Sequence, residues 1–304
     1  MTTTIKPMED RRGLGIGILL FAQLFFTVLD TSAKYLAVAG LPTSEIVFVR
    51  YGVHVLLTLG LFLPVNGLNL FKTRSWKLEL ARGLSLLGVT LGNFLAQRYL
   101  PLTVTGALMF TMPLLVTILS VFMLGEKVGP RRWLAIIVGF VGVLIIVRPG
   151  TAAFHPAALL ALAGAVSAAL YTIFTRKLAG VDAPATQQVY SGLIALCCVT
   201  PFAFNGWVWP SDGPTWLAFG LAGVAGMLAH QLNTIALRYA SPSLLAPFSY
   251  TELLLLALAS WLIFQEPPDI WFYLGAPIII ASGIYIWLRE RALHRETLPK
   301  TVED

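Results

Sequence analysis

Charge is what this sequence has least of. Asp, Glu, Lys and Arg make up 12% of its 304 residues, about half of the roughly 25% carried by soluble domains. The deficit runs the whole length of the chain, so a single buried core helix cannot account for it, whereas an apolar solvent can. Cysteine is nearly missing: Cys197 and Cys198 are adjacent inside an apolar run and form neither a metal-ligand spacing nor a disulfide framework. Also absent are His-Glu-x-x-His, a phosphate loop, Gly-x-Ser-x-Gly and an Asp-rich pair suited to metal-pyrophosphate chemistry. Those absences leave an intramembrane enzyme as the weaker alternative. They point to no metal and no cofactor, and the net charge of +6 sits in short loops and tails, where it reads as an orientation signal and not as a nucleic-acid surface.

What is present is apolar sequence, 57% of the chain. Bilayer hydrocarbon is ~30 Å thick and needs about 20 mostly apolar residues per spanning helix. Ten segments of that kind are predicted, at about 14–36, 44–64, 77–98, 101–124, 131–148, 156–178, 184–204, 216–238, 243–264 and 270–289. Pro101, Pro156 and Pro184 stand at or near the first turn of three of them, where a missing N–H costs nothing. Arg11 and Arg12 precede the first segment, but no small-residue cleavage site follows, so a twin-arginine signal is not expected. The fold class read from this pattern is an all-α, multi-pass membrane protein in the lipid bilayer of the inner or plasma membrane.

Loop charges set the orientation. Sixteen Lys and Arg fall on one side of the alternating segments, against Lys34, Arg98 and Arg148 on the other. The positive-inside rule then puts both termini in the cytoplasm. Trp76, Trp133 and Trp287 fall at inner segment ends, and Trp207, Trp209, Trp216, Trp261 and Trp271 at or near outer ends, as the headgroup preference of indole requires.

The two halves resemble each other. A shift of 140 residues pairs Trp76 with Trp216, Gly83 with Gly223, Asn93 with Asn233, Arg98-Tyr99 with Arg238-Tyr239, Thr111 with Thr251, Ser120 with Ser260 and Glu126 with Glu266. A shift of 142 pairs Lys34 with Arg176 and Pro42 with Pro184. Two repeats are expected, 1–150 and 151–304. Five helices is an odd number, so the second copy enters the membrane from the opposite side. Inverted repeats are an architecture of secondary transporters with a substrate site near the midplane. A passive scaffold or receptor gives such a duplication no purpose.

The run Pro113 through Gly125-Glu126, its partner Glu252 through Gln265-Glu266, the Arg50-Tyr51 step and Asp30-Thr-Ser-Ala-Lys34 together resemble the EamA family of the drug/metabolite transporter superfamily. The resemblance covers nearly the whole chain. It implies ten helices in a 5+5 arrangement and export or uptake of amino acids and other small metabolites, with export of amino acids or related compounds by alternating access as the leading expectation. An importer or facilitator of the same fold is the alternative. Leu253 departs from the family pattern, which often has Pro after this Glu, so a matched kink in both copies does not follow.

Intramembrane charges cost on the order of 2.5–3.5 kcal/mol each at a helix centre, so each needs a partner or a watery cavity. Gln23, Thr27, Asp30 and Lys34 share one stripe, and Asp30 and Lys34 are spaced to pair. That pair reads either as a structural tie or as an outer gate, with Arg50 beside Asp30 or Glu45. Arg50, His54 and Thr58 form a stripe in the second segment, Thr90, Asn93 and Gln97 in the third, and Gly223, Gly226, His230 and Asn233 in the eighth. Ser249, Glu252 and Ser260 follow in the ninth. The substrate pathway is expected to use His54, Thr90, Asn93, His230, Asn233, Tyr250 and Glu252, with Tyr171 and Phe174 as further aromatic walls. Packing and cross-helix hydrogen bonding are the competing explanation for every one of these residues. His54, His230, Asp30 and Glu252 are the candidates to carry protons if transport is proton-coupled. Asn93 is expected about five residues inside the outer face, ~7 Å deep, and Asn233 equally far inside the inner face. A central cavity is expected between helices 1–4 and 6–9.

Overall fold

The computed structural model describes residues 12–125, 129–152, 154–178, 181–239, 245 and 248–296. Glu126 and Lys127, and the terminal cations Lys6, Arg11 and Lys300, lie outside the described residues. The helices are α1 (Arg12–Val38), α2 (Thr43–Asn66), α3 (Trp76–Gln97), α4 (Leu102–Met109), α5 (Met112–Leu124), α6 (Pro130–Val147), α7 (Ala157–Leu178), α8 (Pro184–Ala203), α9 (Gly213–Tyr239), α10 (Thr251–Phe264) and α11 (Ile270–Glu296). A 3₁₀ turn, Gly67–Phe71, extends α2. Among the described residues there is no strand. Seven helical stretches among the described residues are long and apolar enough to cross a membrane: 13–38, 43–71, 102–123, 130–147, 157–175, 213–233 and 270–289.

α3 and α8 fall short of that composition because they carry more polar residues, and many of these face inward. α3 buries Glu79, Arg82, Thr90, Asn93 and Gln97, and α8 buries Thr186, Gln187, Gln188 and Ser191. Large apolar side chains point outward instead: Leu56, Val65 and Phe122 are more than two-thirds exposed. Lipid tails are as apolar as leucine, so burial of such residues does not drive helix association; close packing and cross-helix hydrogen bonds do.

The predicted segment 101–124 is broken at Phe110–Thr111 into α4 and α5. Pro113 explains the break, since it lacks an N–H and its ring cannot follow a continuous helix. Thr111 closes the gap by donating its hydroxyl to the Leu108 carbonyl at 2.7 Å. The same arrangement recurs 140 residues later without proline: Thr251 donates to the Phe248 carbonyl at 2.6 Å. α5 ends on Gly125 and α10 on Gln265, both left-handed (φ 68° and 57°), and both helices cap onto the carbonyl of a matched serine, Ser120 and Ser260. Gln265 bears the strain of that conformation, which Gly125 avoids.

The principal helix pairs are α1 with α9, α3 with α7, α2 with α8, and α6 with α11. Secondary contacts run α2 to α9, α3 to α8, α1 to α10, and α4 and α5 to α7. The α3–α7 pair comes close enough that a Cβ on Gly92 would lie 2.6 Å from the Leu160 carbonyl oxygen. α6 and α11 pack on one another at one side of the bundle.

Candidate functional site

A cavity of about 260 Å³ lies between α1, α2, α3, α4, α5, α7, α9 and α10. Eight of the polar residues singled out from sequence line it: Gln23, Asp30, Arg50, Thr90, Asn93, Asn233, Ser249 and Glu252. His230 lines it too, as do the rings of Phe26, Phe94, Phe110 and Tyr171. The stripes on α1, α3 and α9 therefore converge on one space. α8 contributes no lining residue, unlike the expectation for helix seven, because it packs on α2 and α3, which themselves line the cavity.

Asp30 accepts from Asn93 Nδ2, which lies 3.2 Å from each carboxylate oxygen. Arg50 reaches from α2 and donates through Nη1 to Thr90 Oγ1 at 3.0 Å. Its guanidinium lies 4.4 Å from the centre of the Tyr51 ring and 5.7 Å from that of Phe94. The Tyr51 hydroxyl shares a 2.8 Å hydrogen bond with Thr90 Oγ1. Glu252 faces the cavity. Two carboxylates, one guanidinium and three amides, set among rings, can hold a small solute that carries both charge and a flat apolar body.

The expected Asp30–Lys34 pair does not form. Lys34 is buried and pairs instead with Glu266, just beyond α10, and donates to the Leu100 carbonyl at 3.2 Å. The Phe264 ring lies 4.9 Å from its Nζ. The i, i+4 spacing allowed the pair, but Asn93 takes the carboxylate and residues from two other loops take the ammonium. Arg50 likewise bonds Thr90 rather than Glu45, whose carboxylate accepts the Val208 N–H at 2.9 Å. At this same end Arg98 donates to the Leu41 carbonyl, Arg148 pairs with Asp269 at 2.9 Å, and Tyr99 stacks on His155.

His54 and Tyr250 stand outside the cavity lining. His54 is buried in the α2–α8 seam, where a Cβ on Gly192 would lie 2.9 Å from its Cδ2. The missing side chain of Gly192 makes room for the imidazole, which no helical period of α2 reveals. Tyr250 is buried against Gly283 of α11, with its ring 5.1 Å from that of Phe110. It backs the wall rather than forming it.

The sequence reading overlooked Arg82. This residue is buried on α3, near the end opposite Lys34, and all three of its guanidinium nitrogens donate. Nε donates to Thr175 Oγ1 at 2.9 Å, Nη1 to the Gln187 carbonyl at 2.7 Å and to Ser191 Oγ, and Nη2 to Tyr171 Oη at 2.6 Å. Nearby, Asp182 accepts from Thr73 Oγ1 at 2.5 Å and from the Arg74 N–H at 2.9 Å. The available signal was simple: Arg50 and Arg82 are the two basic residues set well inside predicted segments.

Comparison with known proteins fits this geometry. The model of the "EamA-like transporter family" matches residues 13–148 and again residues 155–288. The chain is 32% identical over 274 residues to a riboflavin transporter of Vibrio cholerae serotype O1, covering 88% of this chain and 91% of that protein. It is 31% identical over 279 residues to an S-adenosylmethionine uptake transporter of Rickettsia bellii, covering 91% and 94%. A pseudopaline exporter of Pseudomonas aeruginosa is 28% identical over 273 residues, covering 89% and 94%. One crystal structure shares the fold with a TM-score of 0.63 at 19% identity, over 92% of this chain and 99% of that one. The protein is thus a multi-pass membrane transporter rather than an enzyme, and the chain belongs to the EamA-like transporter family.

Proposed function

We propose that this protein is a secondary transporter working by alternating access, with ten membrane helices in two inverted five-helix repeats, 1–150 and 151–304, and both termini in the cytoplasm. In that arrangement α4 and α5 together are the fourth helix and α10 belongs to the ninth. Exchange of the repeats turns the α1–α9 contact into α7–α3, α2–α9 into α8–α3, and α1–α10 into the contact of α7 with α4 and α5; all of these are present. The α2–α8 and α6–α11 pairs exchange with themselves. The matched Thr111 and Thr251 bonds and the double family match support the same reading. The excess of Lys and Arg on one side supports cytoplasmic termini.

The observation that carries the transport reading is the cavity, with Asp30, Glu252 and Arg50 on its wall. Charged groups at membrane depth mark solute pathways. The solute we propose is an amino acid or a related compound bearing a ring, since the wall offers partners for an ammonium, a carboxylate and a flat body. Relatives named for riboflavin, S-adenosylmethionine and pseudopaline fit that size and mixed polarity. Asn93 is buried near the end tied by Lys34–Glu266, whereas Asn233 is half-buried, as expected of matched amides in a carrier closed on one side. Relatives named for uptake and for export both exist, so export is the arm to be tested. Purified protein in vesicles, offered labelled riboflavin, S-adenosylmethionine and amino acids, tests this directly. Saturable flux of at least one probe is expected, and a folded protein that moves none of them, or converts one covalently, overturns it.

A further inference from the structure

Arg82 does not touch the cavity, yet it donates to a residue that does. Tyr171 lines the cavity with its ring while its hydroxyl accepts from Arg82 Nη2 at 2.6 Å. The guanidinium also lies 4.6 Å from the ring centre. The Tyr171 ring meets His230 edge-on at 6.3 Å, and His230 meets Phe26 at 5.1 Å with the planes at 89°. These three rings, from α7, α9 and α1, form a continuous row along one side of the cavity. On a helix a tyrosine chooses mainly between two χ1 wells, and a hydrogen bond to its hydroxyl favours one of them. Here the holder is a planar fork whose other donors are fixed to α7 and α8 through Thr175, Gln187 and Ser191. A single lysine ammonium cannot span those acceptors in one geometry.

We propose that Arg82 is a positioning residue of the transport pathway. From behind the wall it fixes the ring of Tyr171, and that ring sets the width the pathway offers to a planar solute. The proposal rests on the cavity being the pathway, and goes beyond it by assigning a buried arginine a part in solute selection rather than in holding helices together.

The test needs no known substrate. Ala168 lines the cavity one turn before Tyr171 on α7. An Ala168→Cys variant is made with the exposed Cys197 and Cys198 replaced by serine. It is labelled in membranes with N-ethylmaleimide, which is small, and with fluorescein maleimide, which is broad and flat. The readout is the ratio of the two rates. Tyr171→Phe keeps the ring and removes only the oxygen that Arg82 holds, and Arg82→Gln removes the holder. Each is expected to raise the relative rate of the broad reagent on the order of tenfold, the scale of one lost charge-assisted hydrogen bond. The double variant is expected to exceed neither single one, because both break the same contact, and Arg82→Lys should restore the ratio only in part. Unchanged ratios in folded Tyr171→Phe and Arg82→Gln proteins, or effects that add in the double variant, overturn the proposal while leaving the pathway in place. Failure of the small reagent to reach the thiol introduced by Ala168→Cys overturns the pathway reading and this inference with it. Should Arg82→Gln fail to fold, Tyr171→Phe alone decides the matter.

Discussion

Replacing Glu266 by glutamine leaves the Lys34 ammonium buried with one carbonyl and one ring for company. The lysine side chain is 2% exposed and the glutamate 38%, so the two halves of this pair are not equivalent. Stranding a buried charge costs about 3–5 kcal/mol when nothing compensates. The half-exposed carboxylate is partly screened by solvent, and the Leu100 carbonyl and the Phe264 ring remain, the latter worth about 0.5–1 kcal/mol. About 2 kcal/mol is therefore expected for Glu266→Gln, or roughly 4 °C in Tm, given that 1 kcal/mol moves Tm by about 2–4 °C in somewhat smaller proteins. Lys34→Met does the reverse: it removes the buried charge, keeps most of the volume and lets Glu266 turn to water, so a loss within about 1 kcal/mol is expected. The double variant should match Lys34→Met alone. Intrinsic tryptophan fluorescence of detergent-solubilised protein during heating measures all three. If Lys34→Met proved the most damaging, or if Glu266→Gln were silent, the buried ammonium would not be what the pair serves.

Other outcomes follow from the same geometry. Gly192→Leu should wedge α2 from α8 through His54 and Val55, which lie 2.9 Å from the Cβ position, and should cost on the order of 2 kcal/mol by the overpacking rule; yield and Tm in detergent report it. Asn93→Leu removes the amide that holds Asp30 and should impair flux more than Asn233→Leu, for which no comparable bond to a carboxylate is described; parallel transport assays separate them. Asp212 caps α9 by accepting from the Thr215 N–H at 2.8 Å and its hydroxyl at 3.0 Å. The backbone hydrogen bond first, and the hydroxyl second, hold its pKa below the ordinary 3.8. A depressed carboxylate stabilises above its unfolded pKa and loses that contribution as pH falls through the folded one. The Tm gap between wild type and Asp212→Ala should therefore be constant near neutrality and close below about pH 4.

Much of the fold was legible because lipid imposes a simple rule: apolar stretches of spanning length, punctuated by Pro and by basic loops. The break at Phe110–Thr111 was not read, although Pro113 marked it, since hydropathy does not sense a missing N–H. The convergence of Asp30, Thr90, Asn93, His230, Asn233 and Glu252 was readable from helical periodicity alone, as each stripe had to face a common interior. Partner choice was not. Asp30 and Lys34 sit one turn apart on one helix, yet their partners come from α3 and from beyond α10, at contacts no local spacing encodes. His54 went astray because the groove it fills is made by an absent side chain on another helix, Gly192. Arg82 lies about three turns before Asn93 on the same face of α3, but it was overlooked because it works through Tyr171, one contact removed from the cavity.

The most direct test of the transport mechanism is counterflow. Vesicles holding purified protein are preloaded with unlabelled probe and diluted into a trace of the same labelled probe, with riboflavin, S-adenosylmethionine and amino acids taken in turn. An alternating-access carrier should show a transient overshoot of label that Ala168→Trp, which places an indole inside a cavity of about 260 Å³, abolishes without loss of folding. Label that enters at a rate indifferent to the preload, or an overshoot that survives the filled cavity, would contradict both the mechanism and the pathway.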